Sequence, residues 1–203
     1  MQNEVGMAEE IRTFIAVELQ EEQKRALRQV QETLRAERAG RYVRWVAPEA
    51  VHLTLKFLGG VDADKMPGLQ NALTHACADV PPFALTLRGV GAFPNTRRPN
   101  VVWVGVGGES GTITRLAEQI DGACASLGFS PETRPFSPHL TIGRVKRDVR
   151  PVDQQFVGEM VANNPMGDLG ECRVERVSIM QSDLRPTGSV YTRLYAIELA
   201  TGI

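Results

Sequence analysis

Apolar residues recur along this chain in two alternating periods, one of strands and one of helices. Ile11-Arg12-Thr13-Phe14-Ile15-Ala16-Val17-Glu18-Leu19 is short, apolar and partly β-branched, which predicts a strand. The charged stretch after it carries Leu27, Val30 and Leu34 at helical spacing, which predicts a helix. A turn-rich passage through Gly40 and Pro48 leads to residues 51–58. There Leu53, Leu55 and Phe57 alternate with His52, Thr54 and Lys56, so a half-buried strand is expected with Lys56 on the polar face and Gly59-Gly60 as its end. Residues 64–80, with Leu69, Leu73, Ala76 and Val80, predict a second helix that Pro81-Pro82 stops.

Residues 83–90 and 101–106 both alternate, and the loop 94–100 between them suggests an antiparallel ribbon. Ile113, Leu116, Ile120, Ala123, Cys124 and Leu127 mark a third helix, with Gly128 just beyond it. A strand over 138–145, a short helix over 152–162 and two closing strands near 172–182 and 190–199 complete the chain. Strands with one polar face, mixed with helices, favour an α+β protein with antiparallel sheets over a doubly wound parallel one.

The chain of 203 residues is 42% apolar and 23% charged, enough for a packed core without metals or disulfides. Lys plus Arg number 23 against 24 Asp plus Glu, and this near-neutral balance argues against indiscriminate coating of nucleic acid. One local exception is the segment 134–150, where Arg134, Arg144, Lys146, Arg147 and Arg150 face only Asp148; such a strip suits a nucleic-acid backbone. Cys77, Cys124 and Cys172 are odd in number and set among apolar residues, so free thiols in a reducing compartment are expected. Without an apolar run of membrane-spanning length or a secretory h-region, a cytoplasmic protein with no membrane partner is expected. Residues 1–10 are expected to form a flexible leader, with Met7 offering an alternative start, ahead of one domain over 11–203. No Gly-rich dinucleotide fingerprint and no phosphate-binding loop ending in Gly-Lys-Ser/Thr is present, which lowers the kinase, ATPase and dehydrogenase classes.

Three histidines occur, and two open the same pattern: His52-Leu53-Thr54-Leu55 and His139-Leu140-Thr141-Ile142. Residues two apart on a strand share a face, so each motif sets an imidazole beside a hydroxyl. Displacing an oxygen from a phosphodiester needs a base for the attacking hydroxyl and an acid for the departing one, and histidine serves as either near neutral pH. Threonine hydroxyls donate to the non-bridging oxygens as charge builds. A zinc site is a weaker reading, because no acidic residue lies inside either motif and the two histidines are far apart in sequence. His75, beside Cys77 in the second helix, lacks the pattern and is expected to be structural or solvent-facing.

These motifs resemble those of the two-histidine phosphoesterases, and within them the bacterial and archaeal 2′-5′ RNA ligase group, also described as RNA 2′,3′-cyclic phosphodiesterases. The resemblance extends to Lys56-Phe57-Leu58-Gly59, Ser137-Pro138, Gly143-Arg144, Arg12-Thr13-Phe14-Ile15-Ala16, Arg44-Trp45-Val46 and Val190-Tyr191. It implies a bilobal fold in which two lobes, related by a pseudo-twofold axis, each bring one motif strand to a central cleft. It also implies hydrolysis of RNA 2′,3′-cyclic phosphate ends, such as those of tRNA fragments, to 2′-phosphomonoesters without metal, ATP or a required protein partner. In that scheme His52 is the proton donor, His139 the proton acceptor, and Thr54 and Thr141 hold the phosphate. The same centre run backwards would join ends through a 2′-5′ bond.

Arg144 resembles a phosphate-contacting position of the family, but strict alternation from His139 puts it on the wrong face. A bulge is needed, and Gly143 suits one. Trp45 and Phe93 are candidates for base stacking or for the core. Two other readings of the motifs are a phosphodiesterase for small cyclic nucleotides or 2′-5′ oligonucleotides, and a non-catalytic module that binds RNA ends. Two intact His-Thr pairs disfavour the second.

Overall fold

The structure, a computed structural model, describes residues 10–186 and 188–200. Residues 1–9, where most of the expected leader falls, lie outside the described residues, while Glu10 already opens β1 (Glu10–Glu18). The chain continues through α1 (Glu21–Ala36), β2 (Val43–Trp45), β3 (His52–Asp62), α2 (Met66–Cys77), β4 (Phe83–Phe93) and β5 (Val101–Gly108). It closes with α3 (Ser110–Ser126), β6 (His139–Val145), α4 (Pro151–Asn163), β7 (Asp168–Val174), β8 (Arg176–Arg185) and β9 (Gly188–Glu198).

All pairings among the described strands are antiparallel, in the order β7-β4-β5-β6-β3-β1-β8-β9, with β2 on β6. The helices cover one face. Their apolar stripes, such as Leu27, Val30 and Leu34 of α1 and Ile113, Leu116 and Ile120 of α3, join the inward residues of the strands in one continuous core. The other face is left as a cleft.

The two lobes meet at a single pairing, Leu53 of β3 opposite Leu140 of β6. On one side lie β3-β1-β8-β9, on the other β6-β5-β4-β7. Their internal registers match. Val17 is opposite Leu53, and the ladder then skips Leu55; Val104 is opposite Leu140, and the ladder skips Ile142. Each lobe therefore carries a bulge two residues after its motif leucine, which gives the pseudo-twofold relation a local signature.

Four expectations are corrected. Lys56 is not on the polar face: the bulge at Leu55 turns it into the core opposite Ile15, leaving it 2% exposed, and brings Phe57 out to 61%. Gly59-Gly60 does not end β3; Gly59 takes a φ of +77° in a second irregularity, and Gly60 stays paired with Arg12, so main-chain bonds to β1 carry the strand on to Asp62. The run 172–182 is two strands, because Cys172 and Val174 pair with β4 in one lobe whereas Ile179 pairs with β1 in the other. The passage before β3 holds a strand, β2, formed by pairing with β6 rather than by its own periodicity.

Candidate active site

With Leu53 opposite Leu140, the antiparallel register sets His52 across from Thr141 and Thr54 across from His139. The two leucines are buried, and the four polar residues, all half-buried, project to the cleft face. Each histidine thus stands next to its own threonine along the strand and next to the other motif's threonine across it.

Both imidazoles are oriented by the same device. His52 Nδ1 lies 2.9 Å from the Ala50 carbonyl oxygen, and His139 Nδ1 lies 2.8 Å from that of Ser137, in each case two residues upstream. A carbonyl only accepts, so Nδ1 carries a proton in both rings and Nε2 is left to face the cleft, a base when neutral and an acid when protonated. His75 bonds only the Asn71 carbonyl one turn back and sits exposed on α2, away from either motif.

The two rings have different surroundings. His52 packs against Phe14 at 4.6 Å between centroids and meets Tyr191 edge-on at 5.0 Å. Burial among these rings pushes its pKa below the ordinary imidazole value, against the opposing pull of the Ala50 carbonyl and the Glu18 carboxylate. Glu18 lies opposite His52 on β1 and is held by Ser178 Oγ, which donates at 2.6 Å, and by Arg193 at 3.1 Å. His139 meets the edge of Phe93 at 4.9 Å. A cavity of about 1110 Å³ opens beside Thr54 and His139, walled by Phe57, Phe93 and Phe136.

Arg144 reaches the cleft face through the bulge at Ile142. Val101 and Trp103, two apart on β5, share a face; their partners are Arg144 and Thr141, which therefore share it too. The bulge does not need Gly143, because the other lobe bulges equally with Lys56 in the equivalent place; the glycine instead lets β2 approach closely, since an added Cβ would fall 2.5 Å from Val43 Cγ1. Beneath this bulge the buried Gln31 of α1 donates to the carbonyls of Ile142 and Val46. In the other lobe the corresponding place is taken by Lys56, which bonds Asp121 of α3 and donates to the Ser130 carbonyl at 2.9 Å.

Of the two aromatic candidates, Trp45 is structural: its Nε1 donates to the Gly40 carbonyl, and Arg35 covers the ring. Phe93 supports His139 and Trp103. The sequence reading left Phe57 and Glu18 out of the cleft and gave Phe14 and Tyr191 no role. Only the pairing of β1 and β9 with β3 and β8 brings Phe14, Glu18 and Tyr191 to His52, and only the bulge at Leu55 turns Phe57 out towards Phe14. Among the described residues, no three His, Cys, Asp or Glu side chains gather as a metal-ligand group, and no helix is long and apolar enough to cross a membrane.

Comparison with known proteins agrees with this two-lobed reading. A family model described as LigT like Phosphoesterase matches residues 17–103 and again 104–191, so His52 and His139 fall 35 positions after the start of their respective matches. An RNA 2′,3′-cyclic phosphodiesterase of Methanothermobacter thermautotrophicus is 35% identical over 189 residues, covering 93% of this chain and 99% of the relative. One of Thermotoga maritima is 35% identical over 193 residues, covering 95% and 98%. TT0787 of Thermus thermophilus superposes with a TM-score of 0.75 at 29% identity over 93% of this chain and 98% of that one. E. coli LigT complexed with 3′-AMP superposes with a TM-score of 0.74 at 26% identity over 95% and 100%. On this evidence the chain belongs to the LigT like phosphoesterase family, with one histidine motif in each of its two repeats.

Proposed function

We propose that this protein hydrolyses RNA 2′,3′-cyclic phosphate ends to 2′-phosphomonoesters, with His52 as general acid and His139 as general base. The observation that carries the reading is the Leu53–Leu140 pairing, because it sets the two His-Thr pairs face to face about one point. The relatives named for this activity support the substrate class. Water attacks phosphorus while His139 Nε2 takes its proton, the bond from phosphorus to O3′ breaks, and His52 Nε2–H delivers a proton to O3′. Thr54 and Thr141 donate to the non-bridging oxygens, and Arg144 adds a fixed positive charge as negative charge builds.

Each lobe supplies half of the machinery, so residues 11–203 act as one catalytic unit. A 5′-hydroxyl in place of water would run the same steps towards a 2′-5′ junction. Three buried free thiols suit a cytoplasmic RNA-processing role.

The test is product analysis on RNA ending in a 2′,3′-cyclic phosphate, with EDTA and without ATP. The expected product is the 2′-phosphate, lost in His52→Ala and His139→Ala. A 3′-phosphate product would reverse the geometry, and tight, salt-sensitive binding without turnover would make the chain an RNA-end binder.

A further inference from the structure

The two repeats put different residues at equivalent places beyond their bulges: Phe57 follows in one lobe and Arg144 in the other. The motif strands run in opposite directions from Leu53 and Leu140, so Phe57 and Arg144 leave the His-Thr quartet at opposite ends. The cleft has an aromatic end and a cationic end.

The cationic end is more charged than one arginine makes it. β2 pairs with the free edge of β6 so that Arg44 stands directly opposite Arg144, and directly opposed residues share a face. Val43 and Trp45 take the face towards α1, against Gly143, which leaves Arg44 and Arg144 on the cleft side. Both arginines are exposed, and neither enters an ion pair with a described residue. Two like charges opposed across a ladder repel, and an anion seated between them removes that penalty. Lys146 lies just past the end of β6, also exposed. Around the cavity beside Thr54 and His139 the charged side chains are Glu118, Glu132 and Arg134 together with the Lys56–Asp121 pair, a balance that repels a polyanion.

We infer that Arg44, set directly against Arg144, forms a second anion subsite, for the phosphodiester that joins the terminal nucleotide to the rest of the RNA, with Arg144 standing between this phosphate and the reacting one, and that Arg44 is a specificity residue for polymer ends over free cyclic mononucleotides. This rests on the function proposed above and gives the substrate a direction in the cleft: the RNA body leaves over β2 and β6. Arg44 touches none of the reacting atoms in this scheme. Its contribution is a phosphate contact that a mononucleotide lacks.

The test compares kcat/KM on adenosine 2′,3′-cyclic phosphate with that on a dinucleotide carrying the same cyclic end, for the wild type, Arg44→Gln and Arg44→Lys. The wild type is expected to prefer the dinucleotide. Arg44→Gln should cut the dinucleotide-to-mononucleotide ratio about tenfold, as loss of one charge-assisted phosphate contact does, and Arg44→Lys should restore part of it. The slope of log kcat/KM against log salt on the dinucleotide should flatten in Arg44→Gln. An unchanged ratio and slope in that variant, with both substrates still turned over, overturns the subsite and leaves the function standing. A wild type that turns over neither substrate defeats the function itself.

Discussion

Lys56 and Asp121 form an ion pair, the one from the strand that carries Thr54 and the other from the helix that precedes the second motif. Asp121 also accepts from the Glu132 N–H at 3.1 Å, and Lys56 donates to Ser130, so the segment leading to His139 is tied to the strand that bears His52. Burial alone would raise the Asp121 carboxyl, but the Lys56 ammonium and the Glu132 N–H hold it below the usual carboxylate range.

Lys56→Met is therefore expected to cost about 1–3 kcal/mol of stability, since it leaves a partly buried carboxylate unpaired, and a urea denaturation midpoint measures it. The stabilisation from this pair should be complete above the ordinary carboxylate pKa, about 3.9, and fade as the pH falls through the lowered value in the folded protein. If Lys56 also holds the two motifs in register, kcat should fall in this variant more than KM rises.

The environment of His52 predicts the pH profile. A general acid must be protonated in the free enzyme, and burial lowers the His52 pKa, so kcat/KM should fall with rising pH along a limb centred below the usual imidazole value of about 6.5. Glu18 pulls the other way; Glu18→Gln should move that limb to still lower pH. An alkaline limb that stays put or moves up in Glu18→Gln would remove Glu18 from the titration of His52.

His52→Ala and His139→Ala should each lower kcat by about 10²–10⁴, the usual span for removing a positioned acid or base. His75→Ala should leave kcat at the wild-type value, because that ring bonds only its own helix. Steady-state kinetics on one cyclic-phosphate substrate separates the three.

Gly143→Ala should destabilise the fold by about 1–3 kcal/mol, since the new methyl group would meet Val43 Cγ1 at 2.5 Å and Trp45 Cε3 at 3.2 Å. Forcing β2 away from β6 would also displace Arg44 from Arg144. A variant as stable as the wild type would show that the β2–β6 contact gives way easily.

Much of the molecule was legible in local sequence. The period-3.6 stripes of Leu27, Val30 and Leu34 or Ile113, Leu116 and Ile120 marked their helices, and the repeated His-Leu-Thr pattern marked both motif strands. The need for a bulge before Arg144 followed from counting faces, and the β5–β6 register supplies it at Ile142. The same count went wrong at Lys56, where nothing nearby announced the matching irregularity in β3.

The amino-acid sequence by itself determined most of the strands and helices, and which two imidazole–hydroxyl pairs are the candidates for the chemistry, because periodicity and motif spacing are properties of chain neighbours. The tertiary structure decided that Lys56 turns inward and Phe57 outward, that Cys172–Val174 crosses to the far lobe, and that Arg44 stands against Arg144. These depend on which strand lies alongside and in what register, and a pairing partner dozens of residues away leaves no mark on the local pattern.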